Sequence, residues 1–239
     1  MCRVVAVILA FALAMCSAVA PAQEKSALRE GFSAEALKGQ KIVLFRPDVL
    51  VGEQSTGGLP EPNADWTEQA RSLLEAELGR RLGEFSAVVV AEPDPSSAHA
   101  STIGAHRGLF RSVAASVLEH QLFTGNRLPT RKNKAFDWTL GEGLKPVAGE
   151  LGARYGLFVS TEDQYGSTGR KVFQVIAGLG LGVGVSSGVH TGYAGLVDLT
   201  TGSLVWINAD AKMGGDVREE EGMRKRVSQL LEGMPGFGR

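Results

Sequence analysis

Cysteine is almost missing from this chain of 239 residues: there are two, Cys2 and Cys16, and both fall within the first 22. Once that segment is removed no thiol remains, so the fold has neither a disulfide framework nor thiolate chemistry to draw on. A charge surplus is also lacking. There are 25 Lys and Arg against 26 Asp and Glu, where a nucleic-acid binder would show a basic excess, so nucleic acid is not expected as a partner. Histidine is sparse as well. His99, His106, His120 and His190 form no H-E-x-x-H pattern and no i, i+4 pair, and no metal or cofactor is implied. The apolar run at the start, Val4 to Met15, is shorter than the roughly 20 residues that span a bilayer.

What that first segment does contain is the layout of a secretory signal. Arg3 precedes the apolar run, and Ala20 and Ala22 follow in A-x-A spacing, so cleavage is expected after Ala22. "LAMC", 13 to 16, also has the form of a lipobox, which makes Cys16 a candidate lipidation site. Met15 stands where that motif normally has Gly, Ala or Ser.

The rest divides into a polar linker over 23–40, an α/β domain over 41–233 and a tail over 234–239. "KIVLFRPDVLVG" opens the domain as a buried strand, and the Pro- and Gly-rich stretch 53–64 reads as loop. Helical spacing follows from Asp65 to Gly83, with Asp65 and Glu68 in a capping pattern. A short strand at 86–92 and a second helix over 104–123 come next. Pro146 sits in the first turn of a third, shorter helix. "YGLFVSTEDQYG", 155–166, is a strand. "YAGLVDLTTGSLVW" reads as a β-hairpin with Gly202 in its turn, Leu196 and Trp206 on the core face, and Asp198 and Thr200 beside the turn. A closing helix starts near Asp216, whose Asp-x-x-Glu spacing to Glu219 suits a cap. The expected fold is α/β (α+β): a mixed sheet of about five strands with helices packed on it, ending in the hairpin and a C-terminal helix. Trp66, Trp138 and Trp206 are assigned to packing.

One stretch resists this scheme. "AGLGLGVGVSSG", 177–188, lies in a segment from Lys171 to Val189 that separates two strands a short turn could join. From Val172 to Gly184 its only polar side chain is Gln174. "GVSSG" matches the G-x-S-x-G elbow of serine hydrolases, with Ser186 as nucleophile, but strand-like sequence follows where the elbow needs a helix. No histidine comes after His190 to complete a triad in that order. The spacing fits neither a P-loop nor G-x-G-x-x-G. The residues that stand out are apolar: Val172, Phe173, Val175, Ile176, Leu179, Leu181, Val183 and Val185, a candidate membrane or oligomer contact, with burial on the domain's own sheet the preferred reading of the two.

"KIVLFRPDV", "GARYGLFVSTEDQYG" and above all "YAGLVDLTTGSLVWINAD" resemble bacterial cell-envelope proteins of the CsgG and LpoB kind, the one a curli-secretion lipoprotein, the other a lipoprotein activator of a peptidoglycan synthase. The resemblance implies an exported protein of the periplasm, attached to the outer membrane if lipidated. It would act through contacts with other envelope proteins rather than by catalysis. It also suggests an alternative, an oligomeric, membrane-contacting secretion component that uses 171–189; the Ser186 hydrolase is the remaining one.

Overall fold

The computed structural model describes residues 26–84, 88–122, 128–129, 135–167 and 188–237. Among these residues nine strands form one mixed sheet, with helices on both faces. The strands are β1 (Ser26–Leu28), β2 (Lys41–Leu44), β3 (Asp48–Gln54), β4 (Pro60–Pro62), β5 (Val88–Ala91), β6 (Trp138–Thr139), β7 (Tyr155–Gly166), β8 (Gly188–Asp198) and β9 (Ser203–Asp210). The helices are α1 (Ala64–Glu84), α2 (Ala100–Val117), α3 (Lys145–Leu151) and α4 (Glu220–Leu230). The main path across the sheet is β1-β9-β8-β7-β2-β5. Neighbours β2 and β5, and β2 and β7, run parallel, whereas β7-β8-β9 form an antiparallel meander.

The expected α/β fold is present with more strands than the sequence suggested, because short pairings escape pattern reading. The run 41–52 is two strands. Phe45 to Pro47 interrupts it, since Pro47 has no N–H for a ladder, and β3 then resumes along the second half of β7. The stretch 53–64 includes β4, antiparallel to β3. Part of the 23–40 segment, expected as linker, joins the sheet: β1 pairs with β9, and Leu37 is wholly buried in a 3-10 turn. Past residue 233, Met234 is buried as well.

One face of the sheet packs Ile42, Val51, Leu157, Leu196 and Trp206 against α1 and α4, through Leu74, Leu78, Val227 and Leu230. The other packs Val43, Phe45, Phe158 and Ile207 against α2 and α3, through Phe110, Ala114 and Val147. Leu196 lies directly opposite Trp206, both fully buried, as their expected core face requires. Gly195 has a packing role, since a Cβ there would come within 2.5 Å of the Phe110 ring. In α2 the buried face is Ile103, Phe110, Ala114 and Val117, while Leu109 is 40% exposed. Phe123, the last residue of the helix expected over 104–123, lies outside the described residues.

The helix caps differ from expectation. The N-terminus of α1 is capped by Asn63, whose Oδ1 accepts from the Trp66 amide at 3.0 Å, and not by Asp65. The hairpin turn has the predicted chemistry. Gly202 has φ 71° and donates its N–H to Asp198 O at 2.7 Å, and the Asp198 carboxylate accepts from the Thr200 amide and hydroxyl.

Candidate functional site

The feature of β7 that matters for function is its length. Twelve residues long, it pairs with β8 from Tyr155↔Asp198 to Tyr165↔Gly188 and stays largely buried to its end. Period-2 alternation puts Leu157, Val159, Thr161, Asp163 and Tyr165 on one face. Along that face the side chains change from apolar to polar, and α4 and the turn before it cover the polar end.

Asp163 and Arg226 are both fully buried there. Arg226 donates Nη2–H to Asp163 Oδ1 at 2.7 Å and Nη1–H to Oδ2 at 2.8 Å. Its Nη1 also donates to Thr161 Oγ1 at 2.7 Å. From β8, directly opposite in register, His190 places Nδ1 2.7 Å from Asp163 Oδ1. A two-point guanidinium–carboxylate pair is the geometry that offsets the cost of burying two charges. Further polar links hold α4 in place. Asn208 of β9 donates Nδ2–H to the carbonyls of Gln229 and Leu230, at 2.6 and 3.1 Å, and the Gly214 amide donates to Gln229 Oε1 at 2.9 Å.

A second, half-exposed layer lies beside the first. The Arg218 guanidinium stands 4.1 Å from the Tyr165 ring centroid and 4.4 Å from that of Trp66. It is also bidentate to Asp216, at 2.9 and 2.6 Å. The hydrogen bonds from Arg218 hold the Asp216 carboxyl down to about 2. Tyr165 donates its hydroxyl to Asp216 Oδ1 and accepts the Val217 amide, both at 3.0 Å, and burial pushes its phenol well above the usual range. So Asp216 organises a turn and holds Arg218; it does not cap α4, whose N-cap Glu219 makes no side-chain cap bond.

This arrangement is built to hold, not to react. Both Asp163 oxygens are committed and Arg226 has no exposure, so neither offers a free base or an anion-binding donor. Among the described residues no group of three His, Cys, Asp or Glu could hold a metal ion. Nor, among the same residues, is any helix long and apolar enough to cross a membrane. Cys16, the cleavage site after Ala22, Ser186 and the eight apolar residues from Val172 to Val185 all lie outside the described residues. The other histidines serve locally: His99 bonds Glu150 at 2.8 Å, and His106 bonds the Thr102 carbonyl at 2.8 Å. Trp206 is fully buried and packs in the core, while Trp66 and Trp138 are half-buried.

Glu162 and Asp163 are neighbours on one strand and point to opposite faces, Glu162 exposed and Asp163 buried, and the cluster on the inner side is not among the sequence expectations. A signal was there. Arg226 occupies the core-facing stripe Met223, Arg226, Val227, Leu230 of an amphipathic helix, and an arginine in that stripe demands a buried acid.

Fold and site together define an α/β domain whose polar centre braces the stem of a long β-ribbon. No protein-family model matches the chain, and no curated protein matches it. Among solved structures it is similar to the PelC dodecamer from Paraburkholderia phytofirmans, at 14% identity and a TM-score of 0.36, over 86% of this chain and 94% of that one. It is also similar to the LpoB C-terminal domain from Salmonella enterica, at 15% identity and a TM-score of 0.27, over 77% and 87%. The lipoprotein GNA1162 from Neisseria meningitidis aligns at 14% identity and a TM-score of 0.29, over 71% and 80%. Likenesses of this strength carry no argument about role or assembly.

Proposed function

We propose that this is an exported, non-catalytic protein of the bacterial cell envelope, which works by contacting other envelope proteins through the connection between β7 and β8. One observation carries the reading. Two strands in unbroken antiparallel register, braced by a buried ion pair, are joined by residues 166–187 where a turn of two to five residues would serve. That connection holds the apolar residues Val172, Phe173, Val175, Ile176, Leu179, Leu181, Val183 and Val185. Export is inferred from the signal-like segment before Gln23, and lipidation at Cys16 would add an outer-membrane tether. In the second reading the same apolar residues contact a membrane as part of an oligomeric secretion component.

The test replaces 166–187 by Asn-Gly, a two-residue hairpin turn. The shortened chain should melt cooperatively near the parent temperature, still leave the cytoplasm, and lose the cross-linked envelope complexes that the parent forms. Release of a membrane-bound parent to the soluble fraction would favour the second reading. Unfolding of the shortened chain would refute both, because the connection would then be part of this chain's own core. Intact mass checks export: a chain that starts at an acylated Cys16 or near Gln23 agrees, and an unprocessed cytoplasmic chain refutes it.

A further inference from the structure

A groove of about 710 Å³ lies between α1 and the ends of β2 and β5, towards the edge of the sheet that is farther from the β8–β9 hairpin. The backbone of β5 is half used. The Val88 amide donates to Gln40 O at 3.1 Å, so Val88 and Val90 face β2, and by alternation Val89 and Ala91 direct their N–H and C=O groups outward. Among the described residues no strand pairs with that outer edge.

Exposed edges are normally blunted by a charge or a proline within the strand. Here the strand is Val-Val-Val-Ala, with Val88 52% exposed, and the prolines and acids come only after it, at 92–95. Leu44, Pro47, Val89 and Ala91 give the groove apolar surface. Around them stand Glu68, Glu75, Glu92 and Asp94 with one base, Arg46. Glu92 is held by Arg107 at 2.7 Å and Glu68 by Arg71, whereas Glu75 and Asp94 have no cationic partner among the described residues. The uncommitted charge is therefore negative. A second copy docking edge to edge would bring these acids against their own kind, which disfavours self-pairing.

We infer that β5 accepts an extended, basic segment of a partner polypeptide as an added strand, its aliphatic side chains over Val89 and Ala91 and its basic ones towards Glu75 and Asp94. This deepens the proposed contact role and rests on it, but it concerns a surface apart from the β7–β8 connection. The 166–187 replacement and the experiment below can therefore fail separately.

The experiment titrates the full chain with a short blocked Lys–Val peptide, Val-Thr-Lys-Thr-Val-Thr-Lys, whose Val and Lys side chains share one face of the strand, and with its Glu–Val counterpart, in which Glu replaces each Lys. The Lys–Val peptide should bind, more weakly as salt rises, and should slow amide exchange at Val89 and Ala91. Val89→Pro removes an outward donor without touching the β2 ladder and should weaken binding about tenfold, the worth of roughly one hydrogen bond. The double variant Glu75→Gln/Asp94→Gln should weaken it similarly, and carries the test if Val89→Pro disturbs folding. Equal binding of the Glu–Val peptide, or no protection at Val89 and Ala91, would overturn the inference. Self-association abolished by Val89→Pro would overturn it too, by making a second copy the occupant.

Discussion

Replacing Arg226 with methionine tests the brace directly. Methionine suits a helix and fills irregular space, so the substitution removes the guanidinium with little loss of volume. It also removes two bonds to Asp163 and one to Thr161, leaving a carboxylate of zero exposure with only His190 and Thr161 beside it. Breaking one partner of a buried pair costs about 3–5 kcal/mol, mostly the penalty of the orphaned charge. With a urea dependence of about 2 kcal/mol per molar, the unfolding midpoint should fall by about 1.5–2.5 M. Removing both charges, in Asp163→Leu/Arg226→Met, should recover much of that loss, since apolar replacement of a whole buried pair is often neutral or better. Amide exchange should quicken most in β8 from Gly188 to Tyr193, where the ribbon depends on Asp163. A loss below about 1 kcal/mol in Arg226→Met, or a double variant as weak as the sum of the singles, would refute the argument that this pair braces the ribbon.

Other consequences are simpler to check. Gly202→Ala should destabilise by about 1–3 kcal/mol, because φ is 71° and a Cβ would meet Gly141 O at 2.0 Å; a thermal melt should show a drop of about 2–4 °C per kcal/mol. The Asp216 carboxyl has its folded pKa lowered from 3.8 to about 2, so its contribution is complete above pH 4 and is lost as pH falls towards 2. Melting temperature against pH should therefore have an acid limb in that window, and Asp216→Asn should flatten it.

How far the fold could be read from sequence depended on the strength of local patterns. The β8–β9 hairpin was legible because Gly202, Asp198 and the alternating apolar residues all report the same turn. The limits of β7 were legible too, between the left-handed Gly152 that stops α3 and the glycine at 166. β1, β4 and β6 were not, for they are two or three residues long and exist only because a neighbour offers a free edge. The site was hidden for a different reason. Asp163, His190 and Arg226 are widely spaced along the chain, and only the β7–β8 register and the docking of α4 bring them together. A sequence shows the misfit of an arginine on an apolar stripe, but not which acid answers it.

That placement says what the ion pair is for. A carboxylate and a guanidinium buried for stability alone would gain little over two apolar side chains of the same size. What an apolar pair cannot do is fix register: a slip of one residue between β7 and β8 would turn Asp163 to the opposite face and leave Arg226 buried without a partner. The glycines at 192 and 195 oppose the same slip from the β8 side, since a Cβ at those positions would come within 2.9 Å of Met213 Sδ and 2.5 Å of the Phe110 ring. Register matters most in a ribbon whose two strands are not closed by a tight turn, and this ribbon is closed by residues 166–187. The polar cluster therefore sits where the turn would otherwise do the work, and it holds the two ends of the connection at a fixed separation, whatever that connection touches.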